Sequence, residues 1–189
     1  TFKDQVIREK TEVLTGGGTP YTVFTPFSKT WKSLLTKEDL EPRAIKPHQA
    51  GFLRCEPTAI PTLESMGFKP SGAEFPPKII DLDLIENYKE TRDIPSLRGT
   101  SRLSLHLRFG TVSIRKLVRE AVQHPETWLN ELIWREFYMQ ILWNFPHVTR
   151  GAFREKYDAV RWELDEANFQ KWCEGKTGYP IVDAGMREL

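Results

Sequence analysis

The sequence predicts a mainly α-helical chain, and three observations carry that expectation. Beyond residue 85, apolar residues recur at helical spacing between readable start and stop signals. From Glu41 to Pro77 the chain is dense in proline and holds no sustained period. Ahead of that stretch lies a short β-prone pattern folded about a run of glycines.

In EVLTGGGTPYTVFTPF a β-prone run, a glycine turn and a second β-prone run, Tyr21 to Phe24, predict the closing part of a sheet domain. Thr30 to Leu35 begins a helix. Pro42, Pro47, Pro57, Pro61, Pro70, Pro76 and Pro77 then mark a linker running over a surface, with a short helix at Thr62 to Met66. Thr100 or Ser101 caps a short helix bearing Leu103 and Leu107 and closed by Gly110. Ser113 caps a second, whose Ile114, Leu117, Val118, Ala121 and Val122 follow the helical spacing until His124-Pro125 stops it. A long aromatic helix follows from Trp128 to Phe145, then a loop through Pro146 to Asp158 and a helix from Asn168 to Cys173. Gly178-Tyr179-Pro180 precedes a last helix from Ile181. No internal repeat appears.

At 189 residues, 39% hydrophobic and 28% charged, the composition is that of a soluble globular chain. A net charge of +1 excludes a uniformly basic protein, so any nucleic-acid contact has to rest on a local patch. Cys55 and Cys173 lack metal-ligand spacing, which predicts two inert thiols in a reducing compartment. With no apolar run of membrane length and no signal-peptide core, no membrane association is expected, and the chain reads as cytoplasmic or nuclear. It starts without Met and ends in DAGMREL, which reads as helix, so an internal fragment is expected.

Two glycine motifs fail on spacing. Gly16-Gly17-Gly18 does not continue as a dinucleotide loop because position 21 is Tyr, and Gly175-Lys176-Thr177 has Gln170 where a phosphate loop needs glycine. GTSRLSLHL places the hydroxyls of Thr100, Ser101 and Ser104 around a helix N-terminus, a site for a pyrophosphate or for plain capping. Tyr88 and Arg92, four apart, add a phenol and a guanidinium toward an anion or a nucleic-acid backbone. In WLNELIWREFYMQILWNF, Trp128, Glu131, Trp134, Arg135 and Tyr138 fall within a sector of about 120° of the helical wheel. That face reads either as a Glu131–Arg135 ion pair over aromatic core or as a site for a flat, hydrogen-bonding ligand such as a flavin or a nucleobase. His48, His106, His124 and His147 form no ligand pair, and no metal is expected.

RGTSRLSLHLRFGTVSIR, WLNELIWREFY and EGKTGYPIVDAGMREL together resemble three successive motifs of the photolyase and cryptochrome family, in its order and spacing, and VFTPFSKTW resembles the segment that closes its antenna domain. The resemblance implies the end of an N-terminal α/β, Rossmann-like antenna domain over residues 1–35, an interdomain linker over 36–84, and over 85–189 the first part of an all-α FAD-binding domain. NELIWREFY is most similar to class I cyclobutane pyrimidine dimer photolyases, whereas DASH-type cryptochromes and six-four photolyases differ at or near Glu131. The implied activity is light-driven repair of pyrimidine dimers in DNA, and the alternative is a blue-light photoreceptor on the same fold. By resemblance Tyr88, Thr100, Ser101, Leu103 and Ser104 contact the FAD diphosphate and ribityl chain, Trp128 packs at the cofactor, and Arg135 borders flavin and DNA. Glu131 hydrogen-bonds the damaged pyrimidines, Trp134 stacks on them, Arg92 contacts the DNA backbone, and Tyr138 belongs to the DNA-facing set. Trp162 matches the solvent-side end of the electron-transfer chain, with Trp172 a nearby indole. A second antenna chromophore of folate or deazaflavin type is allowed, with Gly17-Gly18-Thr19 where a folate contact is expected. The resemblance further implies a monomeric full-length protein and a fragment unable to hold FAD by itself.

Overall fold

The Val13–Pro20 region turns back as expected, but the strand after it does not form. In the computed structural model, which describes residues 3–42 and 50–189, Thr15 N–H donates to Thr19 O and Gly18 N–H to Thr15 O, both at 2.9 Å. Gly18 adopts a φ of +76°, the left-handed conformation such a turn requires. One isolated antiparallel bridge, Leu14 to Pro20, closes it. Pro20 has no N–H, so the pairing cannot extend into a ladder. Among the described residues there is no strand, and the expected β run at Tyr21–Phe24 is instead the approach to helix α1, Phe24–Leu34. Burial outweighs the local β propensity here: Phe27 and Trp31 are each 1% exposed, and they seat α1 against the long helix below. Pro26 is tolerated because first-turn N–H groups need no helical partner.

Helix α2, Lys37–Leu40, carries a capping box in which Thr36 and Asp39 satisfy one another's backbone N–H groups. Pro47 and His48 lie outside the described residues. Beyond the 3-10 turn at residues 50–51, the proline-dense segment has no helix up to α3, Leu82–Glu86, and the expected helix at Thr62–Met66 is a hydrogen-bonded turn ended by Gly67 at φ +85°. Cys55 in this segment and Cys173 are both free, exposed thiols. Then follow α4, Tyr88–Thr91, α5, Ser104–Arg108, and α6, Ile114–Ala121. Helix α6 buries Ile114, Leu117, Val118 and Ala121 as its spacing predicts, while Val122 forms the C-cap and is 42% exposed. Ser113 starts α6 without a side-chain cap bond.

The organising element is α7, Glu126–Asn144. Helices α1, α4 and α6 all pack on it, which is why its buried residues Trp128, Leu129, Leu132, Ile133, Phe137 and Gln140 are not confined to one stripe. It also buries a charge. The Glu136 carboxylate, 1% exposed, accepts from Ile7 N (2.9 Å), Arg8 N (2.7 Å) and Trp31 Nε1 (2.7 Å). Further along the helix, Gln140 Nε2 donates to Glu9 O at 3.5 Å and Asn144 Nδ2 to Lys10 O at 3.3 Å. A segment with no regular structure thus has its polar backbone satisfied by the side chains of one helix. Burial pushes the Glu136 carboxyl above the usual carboxylate range, against the pull of Trp31 and the two backbone donors.

The chain divides into two compact units, Thr1–Pro146 and His147–Leu189. The second holds α8, Glu166–Cys173, which begins two residues earlier than expected because Asp165 accepts from Asn168 N–H, and α9, Pro180–Glu188, with proline at its first position. Asp183 ties the preceding loop to α9 by accepting from Thr177 N (2.7 Å), Thr177 Oγ1 (2.6 Å) and Gly178 N (3.0 Å). Gly175, at φ +62°, passes so close that a Cβ there would lie 2.9 Å from Asp183 O. These contacts account for the GKTGYPIVDAG string as a folded loop rather than a phosphate site.

Two expectations follow for stability. Glu136→Ala leaves three buried donors without an acceptor and should cost about 3 kcal/mol or more, whereas Glu136→Gln retains shape but turns an NH2 toward N–H donors and should cost about 1–3 kcal/mol. Urea midpoints measure both, and an alanine variant as stable as the parent would contradict the account. The Thr177 hydroxyl, followed by the backbone donors, holds the Asp183 carboxyl below the usual aspartate range. Its contribution is therefore present above the unfolded-state pKa and lost as pH falls through the lower folded-state value. The Thr177 and Gly178 amide resonances should shift together at that acidic midpoint in the parent and not in Asp183→Ala.

Candidate functional site

Helices α4, α5 and α7 wall a surface-opening cavity of about 680 Å³ in the first unit. Seven of the residues singled out in the sequence line it: Tyr88, Ser101, Leu103, Ser104, Trp128, Glu131 and Arg135. They come from three separate stretches between residues 88 and 135, which the packing of α4 and α6 on α7 helps bring together. Gln5, Leu107, Arg108, Leu117, Leu132 and Met139 complete the wall; helical spacing had marked Leu107 and Leu117 as apolar helix positions, but none of the six was singled out as a site residue.

The 99–104 loop owes its position to one close approach. Gly99 is buried against the end of α4, where a Cβ would stand 2.4 Å from Thr91 O. Arg102 then takes a φ of 51°, the left-handed region that a residue with a Cβ rarely adopts. The turn sends Leu103 into the core, 2% exposed, while Ser101 and Ser104 both remain on the cavity wall. Two sequence expectations are corrected here. Helix α5 begins at Ser104 after Leu103, without a side-chain cap, so neither Thr100 nor Ser101 caps it. At five residues it also has too few aligned peptides for a sizeable dipole at its N-terminus. Thr100 lines a neighbouring cavity of about 480 Å³ with Arg98 and Arg102, which Ser101 also borders.

The charged groups of α7 pair differently from the i, i+4 expectation. Glu131 bonds Arg92 at the end of α4, not Arg135. Arg92 also reaches Asp93 at 3.4 Å and lies over the Tyr88 ring with its guanidinium carbon 5.6 Å from the centroid. The Glu131 carboxylate raises the Arg92 pKa, and burial beside Glu131 raises that of the Tyr88 phenol. Arg135 donates from Nη1 to Gln5 O at 2.7 Å and from Nη2 to Gln5 Oε1 at 3.0 Å, and burial lowers its pKa. One edge of the cavity thus carries a held carboxylate and another a held guanidinium.

Trp134 and Tyr138 do not line this cavity. Trp134 is stacked on Phe24 of α1, centroids 3.6 Å apart and planes 6° from parallel, and on Tyr138 at 5.5 Å and 20°. In the second unit Trp162 is 75% exposed, and Trp172 stacks on Phe169 at 5.8 Å. His106 bonds Thr111 and Pro76 O, and His124 bonds Glu86, as local tethers. Among the described residues no cluster of His, Cys, Asp and Glu could hold a metal ion, and no helix is long and apolar enough to cross a membrane.

The cavity volume falls within the roughly 300–1,000 Å³ of small-molecule sites. A helical frame about an indole wall, serine hydroxyls and guanidinium groups is the architecture of a domain that binds a flat, anionic small molecule. Residues 128–189 match the family model of the FAD binding domain of DNA photolyase. The whole chain is 37% identical to a deoxyribodipyrimidine photo-lyase of Escherichia coli, and 98% of it is 35% identical to that of a Synechococcus species, in each case over 44% of the relative's length. A crystal structure of a bacterial class III photolyase from Agrobacterium tumefaciens superposes over 99% of this chain and 43% of its own, with a TM-score of 0.64 at 27% identity. The chain belongs to the photolyase family. It spans about 44% of the length of the curated relatives it matches.

Gly99→Ala should displace the 99–104 loop from α4 and cost about 1–3 kcal/mol, because the obstructing atom is backbone and cannot rotate away. Urea denaturation measures it, and a neutral substitution would show that the approach relaxes freely.

Proposed function

We propose that the full-length protein is a light-dependent DNA photolyase acting on cyclobutane pyrimidine dimers, with FAD held in the cavity on α7. The observation that carries this reading is the convergence of Tyr88, Ser101, Leu103, Ser104, Trp128, Glu131 and Arg135 on one cavity of cofactor size. The names of the relatives support the substrate. The segment NELIWREFY is the ground for preferring a class I enzyme, whereas the solved relative is of class III. Residues 1–35, 36–84 and 85–189 are read as antenna-domain end, linker and FAD-domain start.

The donor set fits FAD on chemical grounds. Ser101 and Ser104 offer hydroxyls to a diphosphate and ribityl chain, Arg108 offers charge, and Trp128 presents an indole to the flat part of the molecule. Thr100 joins them only through the adjoining cavity. The cofactor, when bound and reduced, supplies the photoexcited electron that opens the cyclobutane ring and is afterwards returned. The chain's own residues position the lesion. A fused dimer is weakly stacked, so it is the least costly element of a duplex to flip, and it requires an aromatic plane and hydrogen-bonding groups to receive it. Trp134 is assigned the plane and Glu131 the hydrogen bond, with Arg92 orienting that carboxylate. Arg135, from the cavity wall, and Tyr138, stacked beside Trp134, are assigned to the DNA-facing set. Trp162, exposed in the second unit, is read as the solvent end of an electron-transfer chain. The protein is read as a cytoplasmic or nuclear monomer, with a folate or deazaflavin antenna admissible.

A flavin-loaded full-length preparation should split a thymine-dimer oligonucleotide under blue light and not in the dark. Glu131→Gln should retain FAD but lower the repair yield about 10²-fold at most, because it removes one electrostatic contact to the developing charge and leaves the cofactor wall in place. Flavin binding without repair in the parent would favour the photoreceptor reading. Unchanged repair in Glu131→Gln would remove Glu131 from the site.

A further inference from the structure

We propose that Phe24 is a plug for the lesion site: it occupies the face of Trp134 on which a flipped pyrimidine would stack, and it is displaced when a dimer enters. The proposal rests on the reading of Trp134 as the lesion's stacking partner. The overlap is close to complete, with centroids at 3.6 Å and planes within 6°. That is the geometry of a base on an aromatic platform, achieved here by a side chain of the same molecule. Phe24 also meets the edge of Phe137 at 5.9 Å and 76°, so its ring rests in a seat rather than on open surface.

The backbone that carries the plug is weakly held. Phe24 is the first residue of α1; the N-cap Val23 makes no side-chain bond and is 59% exposed, and the first turn has no acidic residue. The bond from Phe27 N to Val23 O is 3.5 Å long, and Pro26 has no N–H to add. One turn can therefore fray and carry the phenyl ring away while Phe27 and Trp31, each 1% exposed, keep the remainder of α1 seated. Glu131 is satisfied in the same way by Arg92. Both groups assigned to the lesion thus have an internal partner that a ligand must replace.

Such a plug acts on base flipping and not on DNA contact as a whole. It sets a threshold that every flipped base must cross, and a base in intact duplex must cross it after also losing its pairing and stacking. Contacts along the DNA backbone that do not involve flipping are untouched. Removing a stacked aromatic pair changes an equilibrium by about two- to twelvefold, which bounds the effect.

The test uses flavin-loaded full-length protein, in the dark, with a thymine-dimer duplex and its undamaged counterpart. Phe24→Ala should bind the dimer duplex about two- to twelvefold more tightly than the parent and the undamaged duplex equally. Phe24→Leu, which keeps apolar contact with Phe137 but offers no plane, should shift binding in the same direction by less and decides the matter alone if the alanine variant does not fold. Trp134→Ala, measured in parallel, should weaken dimer binding. Dimer affinity that is unchanged or lower in the folded Phe24 variants, with Trp134→Ala still weakening it, overturns the plug and leaves the lesion site standing. Trp134→Ala without effect overturns both.

Discussion

The fold depends on a buried carboxylate. Without Glu136, the 7–8 backbone amides and the Trp31 indole would be three donors sealed from water, and an unmet buried donor costs more than a made hydrogen bond returns. Glu136 therefore does more than link two elements. It fixes the depth at which α1 sits on α7 and the register of the N-terminal segment along it, with Gln140 and Asn144 extending that register. Arg135, its neighbour, grips Gln5 one step earlier along the same segment. Adjacent residues of α7 thus divide the labour, Glu136 inward and Arg135 toward the cavity. The orientation of the cavity wall follows from that anchoring, since Arg135 cannot rotate without releasing Gln5.

A helix packed on three sides has little free surface, and the site exploits what remains. The cavity takes the sector carrying Trp128, Glu131, Leu132 and Arg135, and the aromatic stack takes the sector around Trp134 and Tyr138. Glu131 stands where the two sectors meet, close to both but free in neither direction, because Arg92 holds it from α4. Arg92 in turn lies over Tyr88, so a change on the cavity floor at Tyr88 is felt at the carboxylate through one guanidinium.

The helices from α6 onward were legible because their signals are local. Ser113, His124-Pro125 and Pro180 mark ends within a residue or two of where they fall, and the apolar spacing of Ile114, Leu117, Val118 and Ala121 names a buried face directly. Tyr21–Phe24 misled because its β-branched and aromatic side chains favour extended backbone in isolation, whereas Phe27 and Trp31, further on, gain far more by burial as a helix. The Glu131–Arg135 pairing misled for a related reason: helical spacing brings the two within reach, but Arg92 and Gln5 arrive from elsewhere in the chain and offer better-placed partners. Glu136 and Asp183 went unread because a carboxylate surrounded by backbone donors has no sequence signature. The cavity residues themselves were found by resemblance to a family, and spacing alone would have left Ser101 and Ser104 as helix caps.

Arg102 bears on how this protein could be engineered. Its φ of 51° carries backbone strain of about 1–2 kcal/mol, which glycine would relieve. Glycine would also enlarge the freedom of the unfolded chain, at a cost of about 0.5–1 kcal/mol, so the two effects nearly offset one another in overall stability. What would change is the native ensemble of the loop, where Ser101 and Ser104 now share a wall because Arg102 permits few other paths between them. A stability screen would pass over such a substitution as silent. Ligand affinity would register it, since preorganisation is a property that denaturation does not weigh.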